Sequence, residues 1–417
     1  MKKWSSLALA ACMTLSLAAC AAASSGAAPA SSGATLSRPT EREKPESAPA
    51  ALSRILKEQH PDPFPVISEE AFDEKVAVLD EDWARRQLQE GDAWCALQEL
   101  AASIGDAHTS VQPAPSMTQI YLPFIFGKYE DTWYIYRTGD NCAQLLGKEL
   151  LSLNGVPMAQ IAQETARMAS YQTEGWRDVQ VAGMARAMRV LHYLGVADDT
   201  RTVVVETKDL TTGQTETWNV PTDNGSYTGD IALPVTMTRA ANYAATLLED
   251  GSVYIQYNVC ADMEGLPVAD FAAQLEEQVG EAVPAKIFVD LRQNTGGNSE
   301  LIRPLLDVLE GWQKKGGTLY CLIGGQTFSS GAMDAGYLRD MGAVMVGEST
   351  GGLEGGFGEL GQETLPNGCT LYYSTKDFGS RGPVEPDVEA AQTVEDLLTG
   401  RDTVLAAALA LEPDKAN

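Results

Sequence analysis

Apolar residues recur along this chain with two periods, and the change from one to the other divides it. Between 51 and 105 the spacing is helical: Leu52, Ile55 and Leu56 share one face, and Trp83, Leu88, Trp94, Leu97 and Leu100 form a second stripe. His60-Pro61-Asp62-Pro63 interrupts this region as a turn, and the helical pattern closes at Ile104-Gly105, just ahead of Asp106-Ala107-His108-Thr109. From 118 to about 222 strands and helices mix; Trp133–Tyr136 and Thr202–Thr207 are strand-like in their aromatic and β-branched content. From Ser252 onward strand and helix alternate. The pattern predicts strands at Val253–Tyr257, Lys286–Leu291, Thr318–Ile323 and Ala343–Val346, with helices at Val268–Val279, Ser299–Lys315 and Ser330–Arg339 between them.

Repeated strand–helix units predict an α/β core with largely parallel strands. In such sheets reactive groups gather beyond the carboxyl ends of the strands. Two segments fall there: the glycine-rich turn Asn294-Thr295-Gly296-Gly297 and the segment Thr327-Phe328-Ser329-Ser330-Gly331. Between the two strand-like runs of the middle region lies Leu145 to Pro157, which resembles the G-D-x-I-L-x-I-N-G stretch of PDZ domains, with Lys148 in the place of the usual aspartate. The middle region is accordingly expected to be a PDZ-like or α+β module.

Charge and the N-terminus narrow the setting. The formal net charge of -27 repels phosphate backbones, so nucleic acid is not an expected partner. Lys2 and Lys3 precede an uncharged apolar stretch, Leu7 to Leu17, that is too short for a comfortable membrane span and reads as a secretory leader. It ends Leu17-Ala18-Ala19-Cys20, which resembles the lipobox of bacterial lipoproteins. That resemblance implies cleavage before Cys20, acylation of its thiol, and a protein exported and anchored to the membrane by lipid rather than spanning it. Residues 21–50, rich in Ala, Ser, Gly and Pro, read as a flexible spacer. Of the seven cysteines, the five beyond the leader are widely spaced and contain no C-x-x-C, so buried free thiols are expected rather than a disulfide framework.

A serine becomes a nucleophile when a base takes its proton and backbone N–H groups receive the oxyanion. Ser329 immediately precedes a predicted helix, so the Ser330 amide is one of the unpaired donors of a helix start. The same position also suits a plain N-cap serine. What weighs toward chemistry is a set of segments in order: Asp106-Ala107-His108-Thr109; Phe288 to Gly297; Thr327 to Gly331; Val346-Gly347-Glu348-Ser349-Thr350-Gly351-Gly352; and Val384-Glu385-Pro386-Asp387. Together they resemble the tail-specific, or C-terminal processing, peptidase family, which includes tricorn-like peptidases and the retinoid-binding repeats of the eye. The resemblance runs from about residue 52 to 411. It implies a ClpP/crotonase-like core, a serine peptidase acting on peptide or protein substrates without a cofactor, the nucleophile at Ser329, and oxyanion donors at the amides of Ser330 and Gly297.

The base is read from the same resemblance. Ser–Lys members carry a lysine just after the Gly-Glu-x-Thr-x-Gly segment, where this chain has Leu353; tricorn-like members use a histidine in a D-x-H-T type motif, which matches His108. His60 and His192, the other two histidines, have no such match. The group that orients His108 stays open among Asp106, Glu348 and Asp377, the last lying slightly before the position that tricorn-like members use. Ala107, Ala332 and Leu353 depart from the family's pattern, and they keep in view an inactive lipoprotein that binds a peptide or small ligand on the same fold. No H-E-x-x-H, G-x-S-x-G or Walker loop occurs, and no metal site is expected. The expected organisation is therefore a leader and lipobox (1–20), spacer (21–50), helical region (51–115), PDZ-like or α+β module (116–245) and catalytic domain (246–417).

Overall fold

A computed structural model describes residues 46–85, 88, 90–198, 201–222, 227–230, 241–248 and 250–413. The leader, Cys20 and most of the spacer lie outside the described residues. The helical region begins slightly before its expected start: α1 (Ala48–Gln59) is capped by the Ser47 hydroxyl and carries Pro49 in its first turn, where a missing N–H costs nothing. Helices α2 (Glu69–Ala84) and α3 (Glu90–Ala102) follow, then the short strand β1 (Ser110–Gln112).

The middle module contains β2 (Phe124–Tyr129), β3 (Thr132–Gly139), β4 (Glu149–Leu153), β5 (Val156–Pro157), α4 (Met158–Thr165), α5 (Glu174–Met184), α6 (Met188–Tyr193), β6 (Thr202–Lys208), β7 (Thr215–Pro221) and β8 (Tyr227–Asp230). Its sheet runs β2-β3-β4-β6-β7, with β5 on β4 and β8 on β3, and its strand pairs are antiparallel. It mixes helices with an antiparallel sheet. The β4–β5 connection turns through Asn154 and Gly155, both at positive φ, as a tight hairpin requires.

The remainder supplies β9 (Tyr243–Leu247), β10 (Val253–Tyr257), α7 (Val268–Val279), β11 (Lys286–Asp290), α8 (Arg303–Lys314), β12 (Thr318–Ile323), α9 (Ser330–Asp340), β13 (Val344–Gly347), β14 (Leu353–Thr364), β15 (Thr370–Pro383), β16 (Val388–Glu389), α10 (Val394–Thr399) and α11 (Thr403–Ala410). The main sheet has the order β16-β13-β12-β11-β10-β9 and is parallel except for β9. Alternate side chains bury opposite faces. Ile255, Val289 and Cys321 pack with Phe271, Leu309 and Leu338 from α7, α8 and α9. Tyr254, Phe288 and Tyr320 pack on the other side with Val404 and Leu405 from α11. A sheet covered on both faces needs apolar residues at consecutive positions, which is why these strands read as continuous apolar runs. The α/β class, the N-terminal helices and the inserted module are as the sequence implied.

Two features depart from the expected boundaries. Strand β9 already belongs to the main sheet, so the division lies before Tyr243 rather than at 246. The helical region is not separate either. Strand β1 pairs with β15 in the register Ser110↔Tyr372 and Val111↔Leu371, and Leu52, Leu56, Leu97 and Ile104 share a core with Leu371 and Tyr373. The long β14–β15 hairpin thus joins chain segments more than 200 residues apart in sequence, just where β1 leaves the His108 turn.

Candidate active site

The carboxyl ends of three neighbouring parallel strands supply three loops. Beyond β11 comes the turn containing Gly296 and Gly297, beyond β12 the segment ending in Ser329, and beyond β13 the Glu348–Gly352 loop. Their close fit is a matter of glycine. A Cβ on Gly296 would stand 2.8 Å from the Ser329 Cβ, and one on Gly352 would stand 2.7 Å from the Ser329 amide nitrogen. Asn294, wholly buried, ties two of the loops together: its carbonyl accepts from the Phe328 amide at 2.8 Å, and its Oδ1 accepts from the Gly296 amide at 2.9 Å. Thr327 does similar work, donating its hydroxyl to the Leu291 carbonyl at 2.9 Å.

Ser329 occupies the N-cap position of α9, yet its hydroxyl does not cap the helix. Its backbone has φ 55 and ψ -127, a sparsely populated conformation that costs a non-glycine residue about 1–3 kcal/mol. The neighbouring loops hold it there, and the hydroxyl turns out of the helix toward an imidazole. His108 Nε2 lies 3.0 Å from Ser329 Oγ, although 221 residues separate the two. The Ser330 amide is the first of α9 and lies beyond the reach of intrahelical bonding. Ser330 Oγ donates to the Gly297 carbonyl at 2.7 Å, so the helix start and the glycine turn are joined. The Gly297–Cys260 bridge uses the amides of Cys260 and Asn298, leaving the Gly297 amide out of that pairing at an exposed position.

His108 is held from two sides. Its ring lies 4.7 Å from that of Phe328, which in turn stacks on Trp176 at 3.9 Å and 4°. Trp176 comes from α5, whose capping Thr173 hydroxyl also donates to the Gly351 carbonyl at 2.7 Å, so the inserted module backs the Phe328 ring that packs on the imidazole. On the other side is Asp106, wholly buried. Its Oδ1 accepts from the His108 amide at 3.0 Å and stands 3.8 Å from His108 Nδ1. That second separation is ionic contact rather than a hydrogen bond, and Nδ1 has no hydrogen-bond partner. Opposite unit charges about 4 Å apart attract by on the order of 4 kcal/mol near a protein surface, so the carboxylate favours an imidazolium formed at His108.

Asp106 Oδ2 is more heavily bonded. It takes the hydroxyls of Thr109 at 2.6 Å and Ser374 at 2.7 Å, and it lies 3.2 Å from His60 Nε2. Burial would push this carboxyl up, but the contacts from His108, His60 and Thr109 outweigh it and hold the group well below the ordinary carboxylate range. Of the three candidates to orient His108, only Asp106 is brought to it. Asp377 is exposed on β15 with its Oδ1 taken by the Gly379 amide at 2.8 Å, and Glu348 is exposed after β13. The difference for Asp377 is geometric. Ser374 is the β15 residue that faces inward to Asp106, whereas Asp377 lies on the outlying part of the hairpin.

The sequence reading missed His60, Ser374 and the Trp176–Phe328 stack. The signal for His60 was present in the turn His60-Pro61-Asp62-Pro63, where a histidine follows a helix that packs on the Asp106 segment. No local pattern marks Ser374, because its role depends on strand register. The five cysteines among the described residues are buried, and no disulfide joins them. Among the described residues no group of three or more His, Cys, Asp or Glu side chains is arranged to hold a metal ion.

Neither a protein-family model nor a curated protein matches this sequence. Solved structures do. Mature CPAF complexed with lactacystin is similar with a TM-score of 0.64 at 14% identity, over 85% of this chain and 95% of that one. A CPAF mutant in which a serine is replaced by alanine has a TM-score of 0.61 at 14% identity, over 85% and 94% of the two chains. The photosystem II D1 C-terminal processing protease gives 0.40 at 14% identity, over 84% and 93%. The fold of this chain is that of the CPAF structures.

A buried acid beneath the site yields a pH prediction. Asp334, on α9, is wholly buried with Oδ2 3.1 Å from Cys260 Sγ, and burial pushes its carboxyl up to about 8. The native state therefore keeps this proton to higher pH than the unfolded chain does. The stability that Asp334 contributes is complete below its ordinary value of 3.8 and is lost as pH rises through about 8. Asp106, held low, has the opposite sign and loses its contribution only in acid. Asp334→Asn cannot ionise, so urea or thermal unfolding from about pH 6 to about pH 9 is expected to show it losing less stability than the unmodified protein. Parallel profiles would exclude a buried proton at this position.

Proposed function

We propose that this chain is an exported, lipid-anchored serine endopeptidase. The observation that carries the catalytic part is the 3.0 Å approach of His108 Nε2 to the hydroxyl of Ser329, a residue whose backbone is strained so as to present that hydroxyl. The fold shared with the CPAF structures, among them a lactacystin complex and a serine-to-alanine mutant, supports the same reading. Ser329 Oγ attacks the carbonyl carbon of a peptide bond while His108 Nε2 takes its proton. The carbonyl oxygen, now carrying charge, is received by the amides of Ser330 and Gly297, groups of a kind whose removal typically costs about 3–4 kcal/mol of transition-state stabilisation. His108 then gives the proton to the departing amine, leaving an acyl ester on Ser329. Water, deprotonated by the same imidazole, releases the new carboxylate and restores the hydroxyl. Asp106 stays ionised throughout and stabilises the transient imidazolium.

Peptide hydrolysis suits the site better than a small-ligand role because a part-buried hydroxyl and imidazole meet beside the helix-start amide and the exposed Gly297 turn. A purely binding protein on this fold has no need of the Ser329 strain. Hydrolysis of a peptide library by purified protein tests this. Ser329→Ala and His108→Ala, both folded, are expected to lose at least about 1,000-fold in kcat/KM. Turnover that survives both substitutions, or its absence in the unmodified protein from about pH 6 to about pH 9, would overturn the assignment and favour the binding reading.

The anchor rests on the Leu17-Ala18-Ala19-Cys20 segment and the spacer behind it. Full-length protein expressed in a bacterium is expected in the detergent-extractable membrane fraction, and Cys20→Ser in soluble or unprocessed form. Identical fractionation of the two would sink the anchoring.

A further inference from the structure

Four donors surround the Asp106 carboxylate, and they are unevenly shared. Oδ1 receives the His108 amide alone, whereas Thr109 Oγ1, Ser374 Oγ and His60 Nε2 all converge on Oδ2. An ionised carboxylate has about four lone-pair sites in all. Loading one oxygen three-fold fixes the rotation of the carboxylate about its last side-chain bond. The less loaded oxygen is then the one left facing the His108 ring.

His60 differs from the two hydroxyls in kind. Thr109 adjoins His108 and Ser374 belongs to a strand, so both are placed by backbone that is already committed. His60 comes from the end of α1, 46 residues before Asp106, with no side-chain exposure. Its ring is nonetheless held on three sides. The Asp62 amide donates to Nδ1 at 3.2 Å, the edge of Phe357 from β14 meets it at 4.8 Å, and Asp106 lies beyond Nε2. Since Nδ1 accepts a hydrogen bond, the ring proton resides on Nε2, directed at Asp106. The Pro61 and Pro63 turn that presents the Asp62 amide thereby sets a histidine tautomer.

The geometry points to His60 as a positioning residue of this site: a second histidine that acts through Asp106 on His108, in the series His60–Asp106–His108–Ser329. It touches neither substrate nor nucleophile. Its role is to supply the third donor on Oδ2 and so aim Oδ1 at His108 Nδ1. This assignment rests on the proposed peptidase reading for its kinetic consequence, but not for its tautomer.

Two measurements test it. In kinetics, His60→Leu removes the donor and His60→Gln returns an N–H at similar reach. His60→Leu is expected to lower kcat on the order of 10- to 100-fold, the scale found when the hydrogen-bonding partners behind metal-bound histidines are removed, with KM within about two-fold. His60→Gln is expected to recover most of kcat. A loss of thermal stability with kcat per folded molecule unchanged, or equal loss in both variants, would reduce His60 to a structural role. In spectroscopy, long-range nitrogen–proton correlation on uniformly labelled unmodified protein needs no activity and has only three histidine rings to assign. It is expected to place the His60 proton on Nε2; a proton on Nδ1 would overturn the inference. Should the unmodified protein hydrolyse nothing, the peptidase reading fails by that result, and the tautomer alone decides for or against His60.

Discussion

The site depends on one buried carboxylate. Asp106 has no exposure, and its oxygens are occupied by groups from the end of α1, from its own turn and from β15. An ionised group in such a place is tolerable only when its lone pairs are filled, because an isolated buried charge costs far more than these contacts return. The requirement works in reverse as well. Any shift of α1, β1 or β15 would strand part of that charge, so the carboxylate holds three separate segments in register, and the turn carrying His108 is fixed as a consequence.

Ser329, the proposed nucleophile, is positioned by an independent device. Parallel strands β11, β12 and β13 end side by side, and the loops that follow approach within the distance that only glycine allows at 296 and 352. Strain at Ser329 is tolerated because both neighbouring loops, pinned by Asn294 and Thr327, leave it no relaxed alternative. The two devices meet across the His108–Ser329 contact. The inserted module then covers the join, through Trp176 on Phe328 and Thr173 on the Gly351 carbonyl. His108 and Ser329 are thus aligned by packing on both sides as well as by the hydrogen-bond contact between them.

How much of this was legible in the sequence varies with the range of the interaction. The main sheet reads cleanly because burial on two faces produces continuous apolar strands, and each expected strand from Val253 to Val346 lies within a residue or two of an observed one. Ser329 and His108 are singled out by an ordered set of motifs, and the structure brings their side chains together. The β14–β15 hairpin was invisible: Leu353-Glu354-Gly355-Gly356-Phe357-Gly358-Glu359-Leu360-Gly361 has little β-propensity, and the strand is held by its partner. What the hairpin brings, Ser374 opposite Asp106 and Phe357 against His60, was hidden with it. Asp377 was weighed as the orienting acid because sequence proximity to a motif was the only guide, and register is not readable at that distance.

The central claim is that a carboxylate-supported His108 makes Ser329 a nucleophile. The rate at which a fluorophosphonate modifies the intact protein, with the adduct located by peptide mass spectrometry, tests it most directly. A single adduct on Ser329 is expected, forming at least about 100-fold more slowly in folded Asp106→Asn, the scale expected for impaired base catalysis. Modification elsewhere, no modification at all, or an Asp106→Asn rate equal to that of the unmodified protein would contradict it.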